Sequence, residues 1–177
     1  NLSDVDLTTR FLGATLAAPL LISSMTGGHA AGAAINRHCA EAAQARGIAF
    51  GVGSQRVALE RGGNEGLDKS LRKAAPTIPI YANLGAAQFA KGYGPDEAHR
   101  AIDMIGANAL IIHLNPLQEA VQIGGDKDWR GITTALAHLV KALPVPVIVK
   151  EVGFGISARV AQRLIGCGVA AIDVAGA

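Results

Sequence analysis

The chain has 177 residues, of which 50% are hydrophobic, 17% charged and 4% aromatic, with 22 glycines and a formal net charge of +2. That balance excludes a disordered chain, and the length suits one domain with a sizeable core. No block of Lys and Arg and no aromatic stacking pattern is present, so nucleic acid is excluded as a partner; no apolar run reaches a membrane span, and the amino terminus carries no signal-peptide pattern.

In chain order, Leu7–Phe11 and Leu12–Pro19 predict a small hairpin. The first apolar, β-rich run is Leu20–Thr26 (LLISSMT). An alanine-rich helical pattern follows over Ala30–Arg46 and ends at Gly47, a residue suited to a helix C-cap. Ala49–Ser54 (AFGVGS) predicts the second strand, Leu67–Ala75 a short helix, and Ile78–Gly85 (IPIYANLG) the third strand. Pro95–Ile105 opens with Pro-Asp-Glu, a favourable first helical turn, and closes at Gly106. Ala109–Asn115 (ALIIHLN) predicts the fourth strand, Trp129–Leu143 a helix, and Val145–Val152 (VPVIVKEV) the fifth strand. Ile156–Ile165, with Ser157 near its start and Gly166 after it, predicts the last helix, and Ala171–Ala177 (AIDVAGA) the sixth strand. Cys39 and Cys167 both fall in helical patterns and read as reduced core thiols, so a cytoplasmic protein is expected.

Strands this apolar, without clean alternation, are covered on both faces, as in a parallel sheet. The βα repeat recurs about every 30 residues and appears six times. A doubly wound sheet also has six strands, but no Gly-x-Gly-x-x-Gly follows the first strand here. Nor do the polar residues gather at one switch point. Ser24, Thr26, Ser54, Asn83, His113, Asn115, Lys150 and Glu151 are spread over five strand ends, as on the catalytic face of a barrel. A barrel has eight units and about 250 residues. The expected fold is therefore α/β, a TIM (β/α)8 barrel of which about six units lie in this single domain.

Each polar strand end has a plain explanation beside a functional one. SSMTGG (Ser23–Gly28) is a turn with a helix cap, or a glycine-lined approach to a flat ligand with Thr26 as donor. GVGSQR (Gly51–Arg56) is a capped helix start with a surface arginine, or a clamp in which Arg56 grips an anion. Asn83 is a turn residue, or a donor and acceptor at the edge of a heterocycle. Lys150 is harder to explain plainly. It ends the run Pro-Val-Ile-Val-Lys, and a buried ammonium needs Glu151, another acid or an anionic ligand. In HLNPLQE, His113 and Asn115 share one strand face with Ile111, while Gln118 and Glu119 are expected in the loop after Pro116. A lone carboxylate there can hold Mg²⁺ with the help of waters and substrate phosphates.

The ordered set SSMTGG, GVGSQR, ANLG, HLNPLQE, VKEVGFGIS and DVAGA resembles the type 2 isopentenyl diphosphate isomerases, flavin-dependent enzymes of isoprenoid synthesis, over essentially the whole chain. HLNPLQE and VKEVGFGIS are specific to that family, whereas SSMTGG and ANLG have counterparts in other FMN barrels. The resemblance implies FMN, active when reduced by NADPH, and Mg²⁺. It implies an isomerase that interconverts isopentenyl and dimethylallyl diphosphate with no net redox change. FMN would lie against Ser24, Met25, Thr26, Gly27, Ser54, Asn83 and Lys150. Substrate would meet Ser54, Gln55, Arg56 and Gln118, with His113, Asn115 and Gln118 as the catalytic set and Glu119 on Mg²⁺. It also implies a homo-oligomer, a tetramer or larger.

The implied chemistry adds a proton at one carbon and removes one from the neighbouring branch, through a cation-like state that water must not reach. Lys150 near the pyrimidine edge would keep the reduced flavin anionic. Gln118 does not titrate near neutral pH, so it is expected to orient substrate or relay a proton while the flavin acts as acid and base.

The family pattern continues past Ala177 into a Gly-Gly-Thr-Ser stretch and two further strands that bind the FMN phosphate. It also includes an amino-terminal Arg-Lys pair that grips the diphosphate. The expectation is thus an incomplete barrel whose other parts lie outside these residues, and an intact mass near 18.1 kDa would overturn it. Two competing readings stand beside it. One is an FMN-dependent barrel oxidoreductase of the 2-hydroxy acid oxidase or glutamate synthase type. The other is a non-catalytic phosphate- or flavin-binding barrel. The Glu119 carboxylate has no task in the first, and Gln118 and Glu119 have none in the second.

Overall fold

The computed structural model describes residues 1, 4–24, 31–62 and 66–176. A two-stranded hairpin, β1 (Thr9–Phe11) and β2 (Ala14–Leu16), precedes everything else. Its turn is Leu12-Gly13, both with positive φ, the geometry that matches the twist of a tight hairpin. Six parallel strands follow: β3 (Leu21–Ile22), β4 (Ala49–Gly51), β5 (Ile80–Gly85), β6 (Ala109–Leu114), β7 (Val147–Glu151) and β8 (Ala171–Asp173). They pair strictly in chain order, β3-β4-β5-β6-β7-β8. A doubly wound sheet would reverse direction at a switch point; an order without reversal is the arc of an α/β barrel.

Helices link the strands: α1 (Gly32–Arg46) after β3, α2 (Arg56–Arg61) and α3 (Lys69–Ala74) after β4, and α4 (Ala86–Ala90) and α5 (Pro95–Ile105) after β5. Then α6 (Pro116–Val121) and α7 (Ile132–Ala142) follow β6, and α8 (Ala158–Gly166) follows β7. Thus five strands carry their helices within the chain, and the sixth expected unit is represented by its strand. Gly47 and Gly106 close α1 and α5 in the left-handed conformation, as their positions predict. Ser157 caps α8 by accepting from the Val160 N–H, but Gly166 ends inside that helix rather than after it. The helix expected from Trp129 starts only at Ile132, because Gly131 takes a left-handed conformation at the N-cap.

Side chains alternate across the sheet. Ile80, Ala82, Leu84, Leu110, Ile112, Val147 and Val149 face outward and form one core with the helices. Ala49, Tyr81, Ala109, Ile111 and Ile148 face inward and form a second, smaller core with Leu16 of the hairpin. Those inner residues come mostly from the amino-terminal halves of the strands, and Phe11 meets Tyr81 edge-on at 6.4 Å. The hairpin therefore plugs the amino-terminal end with apolar contacts, leaving the opposite end for polar groups. Among the described residues no helix is long and apolar enough to cross a membrane.

Candidate functional site

The carboxyl ends of the strands open into a cavity of about 750 Å³. Strand register sets its floor. Gly85, His113, Lys150 and Asp173 are successive cross-strand neighbours in one inward-facing row, directly above Asn83, Ile111, Ile148 and Ala171. Two glycines keep that space open. A Cβ at Gly51 would strike Ser24 Oγ and Ile111 Cδ1, and one at Gly85 would strike the His113 ring and the Gln88 amide.

Of the residues expected at a site, Ser24, Ser54, Arg56, Asn83, His113, Asn115, Gln118, Glu119 and Lys150 line this cavity. Met25, Thr26 and Gly27 lie outside the described residues. Gln55 is not brought to the cavity. Its side chain is 0% exposed. Nε2 donates to the carbonyl of Ala101 in α5 at 2.9 Å, and Oε1 accepts the Asn83 N–H at 2.9 Å. Continued from Ala49 and Gly51, strand alternation would turn Gln55 inward and Ser54 outward, but the strand ends at Gly51 and the loop reverses that order. Gln55 here is a strut between β5 and α5, not a ligand-facing group.

A second correction concerns α6. Gln118 and Glu119, expected in a loop, sit on a helix that starts at Pro116, where the fixed φ of proline favours the first helical position. Helical spacing puts both beside the N-cap residue Asn115. Asn115 Nδ2 donates to Gln118 Oε1 at 3.2 Å and to Glu119 Oε1 at 2.8 Å. Glu119 Oε2 accepts the Asp126 N–H at 2.7 Å. Asp126 was not recognisable from the sequence. Its carboxylate pairs with Lys91, its carbonyl accepts the Trp129 indole N–H at 2.8 Å, and both Asp126 and Lys91 line the cavity. The signal that marks this loop is Gly124-Gly125: a Cβ at Gly125 would collide with the Glu119 backbone.

The electrostatics are set by burial. Lys150 is 6% exposed, and its Nζ donates to the backbone carbonyl of Glu151 at 2.8 Å. Among the described residues no carboxylate forms an ion pair with it. Of the partners the sequence allows for it, Glu151 is not the one, because the Glu151 side chain turns to the 153–155 backbone. Burial, then the charge of Lys150, pushes His113 down to about 4, with Glu119 opposing and Arg56 adding to the push. The imidazole is neutral near pH 7, and its Nδ1 lies 2.8 Å from Asn83 Oδ1.

The polar set can meet a ligand that carries both negative charge and N–H or O–H groups. Lys150 supplies an ammonium with no carboxylate partner and Ser24 Oγ a hydroxyl donor, while Asn115 Oδ1 is an acceptor; both oxygens are buried without a hydrogen-bond partner among the described residues. For a hard cation, no group of three or more His, Cys, Asp or Glu side chains is gathered among the described residues. Glu119 is the one carboxylate there held by two N–H groups with lone pairs to spare, so Mg²⁺ fits only if phosphate and water oxygens complete its shell.

No protein-family model matches the chain. Curated proteins named isopentenyl-diphosphate delta-isomerase are similar to it from end to end. That of Stutzerimonas stutzeri (strain A1501) is 64% identical over 100% of this chain and 51% of its own length. That of Synechocystis sp. is 56% identical over 100% of this chain and 50% of its own, and that of Vibrio parahaemolyticus 52% over 100% and 52%. Among solved structures, a mandelate oxidase variant with the monooxide FMN adduct aligns with a TM-score of 0.63 at 16% identity, covering 97% of this chain and 51% of the other. An active chimera of (S)-mandelate dehydrogenase gives 0.65 at 18%, covering 97% and 55%. At that identity the likeness is one of fold, the α/β barrel. The chain spans about half the length of the curated relatives it matches, and along that half its similarity to isopentenyl-diphosphate delta-isomerases is continuous.

Proposed function

We propose that this chain supplies the substrate-facing part of a type 2, flavin-dependent isopentenyl-diphosphate delta-isomerase, interconverting isopentenyl and dimethylallyl diphosphate in isoprenoid biosynthesis. The observation that carries this reading is the Asn115–Gln118–Glu119 group, tied together on α6 and facing the unneutralised Lys150 across one cavity. An FMN barrel that oxidises hydroxy acids has no use for a clamped carboxylate at that place. The end-to-end similarity to proteins named for the isomerase supports the same choice.

FMN would be held by Ser24, Ser54, Asn83 and Lys150, together with Met25, Thr26 and Gly27. When bound and reduced by NADPH it supplies the acid–base chemistry at the reacting carbons. Lys150 would bring a positive charge to the bound flavin and favour its anionic form. Glu119 would hold Mg²⁺, and Arg56, at the start of α2, would add a positive charge for the diphosphate. Gln118, next to Glu119 and free of titration near neutral pH, orients the prenyl group. Neutral His113 presents Nε2 to the cavity as a hydrogen-bond acceptor and brings no charge that would oppose a cationic transition state. Asn115 ties Gln118 to Glu119, so the orienting group and the metal ligand move together. The same reading makes the protein a cytoplasmic homo-oligomer.

Incubation of the purified protein with FMN, NADPH, Mg²⁺ and isopentenyl diphosphate tests it. The expected product is dimethylallyl diphosphate, with turnover abolished by a chelator and no NADPH consumed in proportion to product. Oxidation of a 2-hydroxy acid without isomerisation would overturn it.

A further inference from the structure

Lys150 and Glu151 are adjacent in sequence, buried at 6% and 5% exposure, and opposite in charge, yet their side chains do not pair. A buried lysine beside a buried glutamate is ordinarily expected to neutralise it. Strand alternation sends Lys150 inward and Glu151 to the other face. There Glu151 Oε2 accepts three backbone N–H groups, from Gly153 at 2.7 Å, Phe154 at 2.6 Å and Gly155 at 3.1 Å. Gly153 and Gly155 both have positive φ, which lets the three donors converge on one oxygen. Burial pushes the Glu151 carboxyl up, but the N–H groups outweigh it and hold it below its ordinary value, so it is ionised at neutral pH. Meanwhile Lys150 Nζ donates to the peptide carbonyl of Glu151 itself, the first carbonyl of the loop that the carboxylate fastens. The loop's Val152 and Phe154 form part of the cavity wall.

We propose that Glu151 is a positioning residue for Lys150: by binding the 153–155 backbone it leaves the ammonium unneutralised and fixes the carbonyl that aims it into the cavity. This rests on the reading that Lys150 meets an anionic ligand there, the reduced flavin. The carboxylate acts through reach and hydrogen bonding, not through its charge on the ligand.

Three variants of the FMN-loaded protein separate these roles. Glu151→Gln keeps an acceptor oxygen at the same reach, and its FMN Kd should stay within about twofold of the unaltered protein. Glu151→Asp keeps the charge but stops one carbon short, and Glu151→Ala removes the acceptor. Both should bind FMN roughly tenfold more weakly, the scale of one lost charge-assisted hydrogen bond. Both should also shift the flavin's two-electron potential downward, because a misplaced ammonium supports the anionic reduced form less. A through-space charge role gives the opposite pattern, with Asp unchanged and Gln and Ala binding more tightly, and that pattern would overturn the proposal. Amide hydrogen exchange in the flavin-free protein gives an independent readout. Gly153, Phe154 and Gly155 should exchange faster in the Asp and Ala variants and not in Gln, and equal exchange in all three would also overturn it. If the unaltered protein takes up no FMN, the flavin reading fails while the exchange pattern still decides the part played by Glu151. Should Glu151→Ala not fold, the contrast between Asp and Gln carries both measurements.

Discussion

Asn83 Oδ1 lies 2.8 Å from His113 Nδ1, joining β5 to β6 at the cavity floor. With an amide oxygen as partner, Nδ1 carries the proton and Nε2 keeps its lone pair. Burial leaves that ring neutral, and the register places it between Gly85 and Lys150. The histidine is thus a fixed acceptor rather than an acid, which is why the proton chemistry is assigned elsewhere.

A pH dependence follows from it. In the unfolded chain His113 takes a proton near its ordinary 6.5, and in the folded protein only near about 4. Between those values the unfolded state binds more protons, so this group's contribution is complete above pH 6.5 and is lost as pH falls toward 4. The loss approaches about 3 kcal/mol at the low end. Urea denaturation at pH 7, 5.5 and 4.5 measures it. His113→Gln should flatten the pH dependence over that window, and parallel curves for the two proteins would mean that the ring is not held neutral.

Gly85 is required for space, not for its backbone conformation. It has ordinary extended geometry, with φ of −83°, but a Cβ would lie 2.8 Å from His113 Nε2 and would also meet the Gln88 amide. The amide can swing away. The ring cannot move without straining its bond to Asn83. Gly85→Ala should cost about 1–3 kcal/mol and raise the His113 pKa from about 4 toward its ordinary value. Following the ring protons by NMR over a pH titration checks this, and an unmoved titration would show that Gln88 alone absorbs the methyl group.

The sequence carries the barrel plainly because β5, β6 and β7 are apolar runs whose polar side chains fall only in their carboxyl-terminal halves, at Asn83, at His113 and at Lys150 with Glu151. It carries the cavity-facing set almost as well, since Ser54, Asn83, His113 and Lys150 all sit at or just beyond strand ends, where a barrel exposes them. Strand ends are less legible: the run expected to reach Ser54 stops at Gly51, because apolar residues in a covered loop resemble strand. The six-residue α6 is too short to show a period, and its Pro116 looks like a terminator although it starts the helix. Asp126 and Lys91 meet only in three dimensions, so the local sign of their loop is Gly124-Gly125 rather than either charged residue.

Gln55 shows what that limit costs, since its chemistry suits a ligand and its geometry does not. Its amide oxygen takes the Asn83 N–H, and its amide nitrogen takes the Ala101 carbonyl. Gln55→Ala would leave the buried Asn83 N–H unsatisfied and open a gap between β5 and α5, the Ala101 carbonyl keeping its helical partner, and should destabilise the fold by about 2–4 kcal/mol. Thermal or urea unfolding would register the loss. The substrate KM of the folded fraction should stay within about twofold, as for a residue remote from the ligand; a large rise in KM with unchanged stability would return Gln55 to the substrate site.

Gln118 and Glu119 are neighbours on α6 and share Asn115 as donor, yet they are held differently. Glu119 is clamped at both oxygens, by Asn115 and by the Asp126 N–H, whereas Gln118 is exposed to the cavity and, among the described residues, held by Asn115 alone. Their variants should therefore fail in different ways. Gln118→Ala should lose turnover by on the order of a hundredfold, the scale of a lost orienting contact, while FMN content and the Mg²⁺ requirement stay as they were. Glu119→Gln should raise the Mg²⁺ concentration needed for half-maximal activity and leave FMN in place. Trp129→Phe, which deletes the indole N–H that anchors Asp126, should shift the Mg²⁺ requirement in the same direction by less, because the carboxylate remains but its clamp loosens. Activity titrated with Mg²⁺, together with the flavin absorbance of each purified variant, distinguishes the three. Loss of FMN from Gln118→Ala would move that residue into the cofactor site, and an unchanged Mg²⁺ titration in Glu119→Gln would place the metal elsewhere.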